Sequence, residues 1–202
     1  MGMSAEASVR AALRDHLLAA RKRLPTAVDE FWVPQSNERA DLALIGHDMS
    51  GYEIKTERDT LGRLPRQAAA YARVFDRCTV VLSARHTQSA VGLLPDWWGV
   101  FEVSVNGQVS FDHVRTAGQN SDVDPETLVR LLWRSEVQTA LVQLGVEPAP
   151  SATRASMWRV LLERLDVGEL KTIVRRALRQ RDGAEARIPS SRFGQAARQD
   201  AN

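Results

Sequence analysis

The fold of this chain is decided by two runs, Arg39-Ala40-Asp41-Leu42-Ala43-Leu44-Ile45 and Gly51-Tyr52-Glu53-Ile54-Lys55-Thr56-Glu57. In the first run, Leu42 and Leu44 alternate with their neighbours, and alternation with period two predicts a strand. Residues 46–50 are typical of a turn, so we expect the second run to be a strand that returns antiparallel to the first. The chain is therefore predicted to be organised around a β-hairpin.

Three charged side chains are expected to converge on this hairpin. Glu53 and Lys55 project from one face of the second strand, about 6.5–7 Å apart, and antiparallel pairing would bring Asp41 across from them. A hard divalent cation takes carboxylate and water oxygens as ligands, and it lowers the pKa of a bound water enough to give a nucleophile at neutral pH. The residues thus predict a Mg²⁺ or Mn²⁺ site on Asp41 and Glu53. The backbone carbonyl of Ile54 is a third ligand in this prediction, and Lys55 is the catalytic ammonium.

The spacing of these residues is similar to a known motif. Asp41, eleven intervening residues and Glu53-Ile54-Lys55 resemble the PD-(D/E)XK motif of the restriction-endonuclease-like nuclease superfamily. The wider sequence around them resembles a family of small bacterial and phage nuclease-like proteins whose cellular role is unassigned. Ala40 replaces the proline of the motif, a departure that the superfamily tolerates. The alternative interpretation is the solvated polar face of an edge hairpin, with Lys55 and Glu57 exposed.

Further candidate site residues flank the hairpin. Gln67 and Tyr71 lie four residues apart on a predicted helix, hence on one side of it, and they match the Q-x-x-x-Y motif of the nuclease domains of recombination helicase–nucleases. The resemblance implies that they bind substrate together with Arg39 and Arg63, and that Glu30 adds an acid to the metal site. If the resemblance is set aside, Tyr71 is expected to pack in the helix interface, and Gln67 and Glu30 are expected to be solvated. The guanidinium of Arg39 suits either an acid or a phosphate.

The order of predicted elements agrees with the resemblance. A helix over 4–23, a strand over 26–34, the hairpin, a helix over 65–75 and a strand over 79–82 give the order αβββαβ. In the strand over 26–34, Val28, Glu30 and Trp32 are expected on one face. A second hairpin follows, turning at Asn106-Gly107. We therefore expect an α/β protein with a restriction-endonuclease-like αβββαβ core, an added β-hairpin and a C-terminal helical extension.

These elements divide the chain into a nuclease-like core with added hairpin over 1–115, a helical extension over 122–181 and a disordered tail over 182–202. The extension is predicted as one helix from Asp124 to Gly145 and two more that follow. Trp97 and Trp98 are expected to close the core rather than to stack on bases. The last helix carries four arginines that suit either a DNA backbone or solvent: Arg175, Arg176, Arg179 and Arg181.

The composition indicates the general class of protein and excludes several kinds of site. The 202 residues are 44% hydrophobic and 26% charged, as is usual for a soluble domain. The longest apolar runs fall well short of the roughly 20 residues of a membrane span, so no membrane partner is expected. The single cysteine, Cys78, excludes a disulfide framework and a cysteine-based zinc site, and suits the reducing cytoplasm. A net charge of +2 is too small to indicate nucleic-acid binding by itself.

Taken together, the sequence predicts a metal-dependent nuclease with DNA as its expected substrate, which acts through water attack without a covalent enzyme intermediate. The alternative is a non-catalytic nucleic-acid-binding or regulatory module that keeps the fold, although the intact Asp41, Glu53 and Lys55 argue against lost chemistry. RNA stays open as a substrate, because the sequence has no readable motif for 2′-hydroxyl recognition. A homodimer through the helical extension would favour double-strand cutting.

Overall fold

The computed structural model describes residues 5–19 and 24–181. The tail predicted over 182–202 and the basic residues 21–23 lie outside this range. The described elements are α1 (Ala5–Ala19), β1 (Thr26–Trp32), β2 (Arg39–Ile45), β3 (Met49–Lys55), α2 (Leu64–Ala72), β4 (Arg77–Ser83), α3 (Ala84–Val91), β5 (Gly99–Asn106), β6 (Gln108–Arg115), α4 (Pro125–Val129), α5 (Arg134–Gln143), α6 (Arg154–Arg164) and α7 (Val167–Gln180).

The six strands form one open mixed sheet in the order β1-β2-β3-β4-β5-β6. Strands β1, β2 and β3 run antiparallel to one another, β3, β4 and β5 are parallel, and β6 returns antiparallel beside β5. The prediction of a mixed α/β protein is confirmed, and so is the order helix, three strands, helix, strand for the elements α1 to β4. Both hairpins form as predicted, the second turning at Gly107, whose φ is +78°.

Helices cover both faces of the sheet. Alternate residues of β2 point to opposite faces and therefore belong to two different hydrophobic clusters. Leu42 and Leu44 pack with residues of α1, whereas Ala43 and Ile45 pack with α2 and the C-terminal helices. Trp98 is fully buried in the second of these clusters and stacks on Tyr71, which agrees with a role in the core. Among the described helices, none has the length and apolar character needed to cross a membrane.

The predicted alternation along β1 is wrong at its centre. Glu30 has a φ of +54°, a left-handed conformation that is uncommon outside glycine. The period of two is therefore interrupted, and Val28 and Phe31, three residues apart, are buried in the same cluster. Glu30 consequently does not share a regular strand face with Val28 and Trp32.

The single helix predicted from Asp124 to Gly145 is also wrong, since α4 ends at Val129 and α5 begins at Arg134. The break has two visible causes. The backbone amide of Trp133 donates to Glu136 Oε2 at 2.7 Å and starts a new helix. The carbonyl of Leu131 accepts from buried Arg181 Nη2 at 2.7 Å instead of from a backbone amide in the next helical turn. Helix α3 was not predicted.

Three of the four arginines named in the basic C-terminal stretch have partners within the chain, and one of these contacts is from Arg176 Nη1 to Gln143 Oε1 at 3.3 Å. The guanidinium of Arg181 is buried and pairs with Glu136. Arg175 Nη1 donates to the carbonyl of His47 at 2.5 Å and lies 3.8 Å from Asp76 Oδ2. Helix α7 is thereby joined to the turn between β2 and β3.

We predict that Asp76→Ala lowers the free energy of unfolding by about 3 kcal/mol, as expected when a buried ion pair loses one partner. Asp76 is 2% exposed, accepts from the backbone amide of Met49 at 2.8 Å and pairs with Lys171 Nζ at 2.8 Å. Urea unfolding measures the change, with exposed Asp112→Ala as the matched control. Equal stability of the two variants would show that the contacts of Asp76 with Met49 and Lys171 do not stabilise the fold.

Candidate functional site

The carboxylate of Asp41 is fixed where β2 and β3 stop pairing. Their paired residues run from Ile45 opposite Met49 to Leu42 opposite Tyr52. One residue further, Asp41 Oδ2 accepts from the backbone amide of Ile54 at 2.6 Å. Burial, followed by the nearby charge of Glu53, raises the pKa of Asp41 to about 8. Asp41 and Glu53 therefore lie close enough for their charges to interact, and their predicted role as a pair of metal ligands stays a prediction.

Glu53 is buried and held by three donors. Lys55 Nζ and Gln67 Nε2 both lie 2.5 Å from Glu53 Oε1, and the Tyr71 hydroxyl lies 2.5 Å from Oε2. The Tyr71 hydroxyl is also 2.7 Å from the carbonyl oxygen of Arg39, so its single proton serves two acceptors. Burial, followed by the charge of Glu53, keeps the pKa of Tyr71 well above its ordinary value, and the phenol remains a donor.

This burial excludes the alternative of a solvated edge hairpin. β3 is an inner strand of the sheet, and Glu53 and Lys55 are 2% and 7% exposed. Gln67 and Tyr71 are equally buried and point at Glu53 rather than at solvent. Their contacts position the Glu53 carboxylate, and the predicted contact of these two side chains with substrate stays a prediction.

A second group of acids surrounds Asp41 on its other side. Glu30 stands opposite Asp41, between the pairs that β1 and β2 form on either side of it. One carboxylate oxygen from each of Glu6, Glu30 and Asp41 lies within 4.8 Å of the other two. Glu30 also forms ion pairs with Arg10 and Arg39. Glu30 therefore lies beside Asp41 and pairs with the guanidinium of Arg39, and its predicted part in a metal site stays a prediction.

The donor chemistry of this site fits a hard divalent cation. Carboxylates from α1, β1 and β2 converge, and carboxylate oxygens are ligands that such a cation accepts, while Glu30 is also paired with Arg10 and Arg39. The left-handed backbone at Glu30 costs of order 1–3 kcal/mol, a strain that often occurs at functional sites. The amide of Ile54 points at Asp41, and the predicted role of its carbonyl as a ligand stays a prediction.

Arg63 lies at the edge of the site and has a partner that the sequence did not indicate. Its Nη2 donates to Glu38 Oε2 at 3.0 Å, while Arg66 Nε donates to Glu38 Oε1 at 2.5 Å. Glu38 is 1% exposed, so this acid is enclosed while both arginines reach the surface. Neither Glu38 nor Arg66 was predicted to belong to the site.

With this geometry established, comparison with known proteins gives the family. The model of the family described as Bacteriophage P4 protein cII matches residues 2–197. The chain belongs to this family. Protein cII of Enterobacteria phage P4 is 26% identical over 157 residues, which cover 77% of this chain and 59% of the relative. The matched region therefore spans less than two thirds of that relative.

A solved structure also resembles this cII family member. It is a protein of unknown function from Silicibacter pomeroyi, 17% identical, with a TM-score of 0.48. The similarity covers 83% of this chain and 99% of the other. The names of these proteins specify no chemistry, so the function of this cII family member is argued from its site.

Sequence reasoning missed Glu6, Glu38, Arg10 and Arg66. Glu6 lies in the first turn of α1, where an acid is ordinary because it favours the helix dipole. Arg63 and Arg66 are three residues apart at the start of α2, a spacing that places them on one side of it. That spacing was the one available signal for the arginine pair.

Proposed function

We propose that this chain is a divalent-metal-dependent nuclease that hydrolyses phosphodiester bonds, with DNA as its substrate. The observation that carries the proposal is the assembly of Asp41, Glu53 and Lys55 at one place. Glu53 is oriented there by Gln67 and Tyr71 from α2. A carboxylate pair with an adjacent ammonium is the set of groups that metal-assisted phosphodiester hydrolysis uses.

The fold adds support to this proposal. The order α1-β1-β2-β3-α2-β4 agrees with the αβββαβ order of the restriction-endonuclease-like core, and we propose that fold for residues 1–115. The sequence resemblance to the PD-(D/E)XK motif falls on the β2–β3 hairpin and α2. Cys78 is a free and buried thiol, in keeping with the reducing cytoplasm that we propose as the location.

Asp41 and Glu53 are the proposed ligands of Mg²⁺ or Mn²⁺, with the Ile54 carbonyl beside them and Glu30 and Glu6 close to Asp41. The cation, when bound, supplies Lewis acidity and an activated water. A carboxylate has about four lone-pair positions, so Glu53 keeps one after accepting from its three donors.

Three side chains have proposed roles around this pair of ligands. Lys55 stabilises negative charge that develops on the reacting phosphate. Gln67 and Tyr71 orient Glu53, since both hydrogen-bond to its carboxylate.

One observation favours the alternative, a non-catalytic binding or regulatory module. The acids already have cationic partners within the chain: Glu30 pairs with Arg10 and Arg39, and Glu53 pairs with Lys55. A site that is compensated in this way is stable without added metal. Cleavage assays separate the two functions.

We predict Mg²⁺- or Mn²⁺-dependent cleavage of linear, circular or single-stranded DNA, and a loss of at least about 100-fold in Glu53→Gln. The variant keeps the size of the side chain and removes its charge. Exposed Glu163→Gln on α6 is the matched control and should cleave like the parent.

The pattern of cleaved substrates separates internal cutting from end processing. RNA of the same sequence tests substrate class. A folded parent that cleaves none of these substrates with either metal would reject the nuclease and favour the binding module.

A further inference from the structure

We propose that Arg63 and Arg66, held on the buried carboxylate of Glu38, form a clamp for a backbone phosphate of the bound nucleic acid. This inference rests on the proposed function, because it assigns part of the substrate's binding site. The three residues, called the arginine clamp below, combine an enclosed acid with two accessible cations. The Glu38 side chain is 1% exposed, whereas those of Arg63 and Arg66 are 62% and 69% exposed.

The acid of the arginine clamp is held by a well-bonded loop. The amide of Val33 donates to the carbonyl of Glu38 at 3.1 Å, and the amide of Glu38 donates to Ser36 Oγ at 3.1 Å. Ser36 Oγ in turn donates to the carbonyl of Val33 at 2.9 Å. These bonds fix Glu38 before β2 begins, so the two guanidiniums are positioned from a rigid support.

The charges and donors of the arginine clamp suit an anion. One carboxylate and two guanidiniums leave a net charge of +1. Each guanidinium has five N–H groups, and one bond from each reaches Glu38. The remaining donors match phosphate oxygens, which arginine binds in a planar fork.

The arginine clamp also lies next to the proposed catalytic groups. The amide of Gln67 donates to the carbonyl of Arg63 at 3.0 Å, so one helical turn, about 6 Å, separates the clamp from a residue that holds Glu53. On the other side, Glu38 directly precedes Arg39, whose carbonyl accepts from Tyr71. A strand cleaved at Glu53 would therefore have a neighbouring phosphate within reach of the clamp.

A simpler explanation is that the arginines serve only to neutralise buried Glu38. A single arginine in a bidentate pair can do this, whereas here each carboxylate oxygen has its own guanidinium. The two explanations differ in what they predict for binding. Charge compensation affects stability alone, whereas phosphate contact changes both the affinity for nucleic acid and its dependence on salt.

The test uses the full chain and the single variants Arg63→Gln and Arg66→Gln, each of which leaves one arginine on Glu38. Binding of a labelled single-stranded DNA oligonucleotide and of its duplex is measured by fluorescence anisotropy in EDTA over a range of salt concentrations. We expect each variant to bind about tenfold more weakly. The slope of log affinity against log salt should fall by about 0.7 per arginine for the single strand and about 0.9 for the duplex.

The matched control is the pair Arg159→Gln and Arg164→Gln on α6, both exposed, which should bind like the parent. Unchanged affinity and slope in Arg63→Gln and Arg66→Gln, or a parent that does not bind, overturns the arginine clamp. The result is independent of catalysis. Clamp-dependent binding without cleavage supports the clamp and rejects the nuclease, whereas cleavage with clamp-independent binding does the reverse.

Discussion

Lys55→Ala should reduce metal-dependent DNA cleavage by about 100- to 1,000-fold, the usual effect of removing one electrostatic stabiliser of a transition state. Lys55 Nζ is 2.5 Å from Glu53 Oε1 and the side chain is nearly enclosed. A buried ammonium interacts strongly with charge that develops nearby, because the surrounding dielectric is low. Single-turnover cleavage at saturating DNA measures the chemical step directly.

The loss must be separated from a loss of folding or of metal. Glu53 keeps Gln67 and Tyr71 as donors in Lys55→Ala, so its carboxylate stays in place and we expect Mn²⁺ binding to be retained. Thermal unfolding and Mn²⁺ titration of the variant check both points. Lys55→Met, which keeps the length of the side chain without its charge, should be equally inactive. Parental cleavage rates in a folded Lys55→Met would remove Lys55 from the mechanism.

The centre of the site could be predicted because it lies on regular structure. Alternation along β3 placed Glu53 and Lys55 on one face, and the turn between the strands placed Asp41 beside them. Four-residue spacing placed Gln67 and Tyr71 on one side of α2. These placements depended on repeats and a turn that the backbone enforces locally, whereas the assignment of Gln67 and Tyr71 to the site came from their resemblance to the Q-x-x-x-Y motif.

The rest of the site depends on contacts that sequence spacing does not show. Glu6 reaches Asp41 only because α1 packs on the sheet. Glu30 owes its direction to a left-handed backbone at a non-glycine residue, for which the sequence has no signal. Glu38 meets its arginines across 25 and 28 residues of chain. The break before α5 likewise depends on Arg181, which arrives from the other end of the helical extension.

Asp41→Asn should stabilise the metal-free protein at pH 8 and leave its stability unchanged near pH 4. Burial first, and then the charge of Glu53, raise the pKa of Asp41 from its ordinary 3.8 to about 8 in the folded protein. Between these values the folded chain holds a proton that the unfolded chain has released. The contribution of Asp41 to the stability of the parent therefore falls as the pH rises through this window.

The asparagine has no charge to bury, and its side-chain oxygen can still accept from Ile54, so its stability should change less between pH 4 and pH 8. Each unit of pKa shift is worth about 1.4 kcal/mol, and we expect a difference of at least about 2 kcal/mol at pH 8. Urea unfolding in EDTA at several pH values measures this difference in stability.

Added Mn²⁺ should stabilise the parent and leave Asp41→Asn almost unaffected, because the variant lacks the carboxylate that the cation requires. Asp112→Asn, an exposed acid on β6, is the matched control and should follow the parent in both experiments. If the difference in stability between the parent and Asp41→Asn is the same at pH 4 and at pH 8, Asp41 is ionised in the folded state without penalty, and the carboxylates around it have no electrostatic need for a cation.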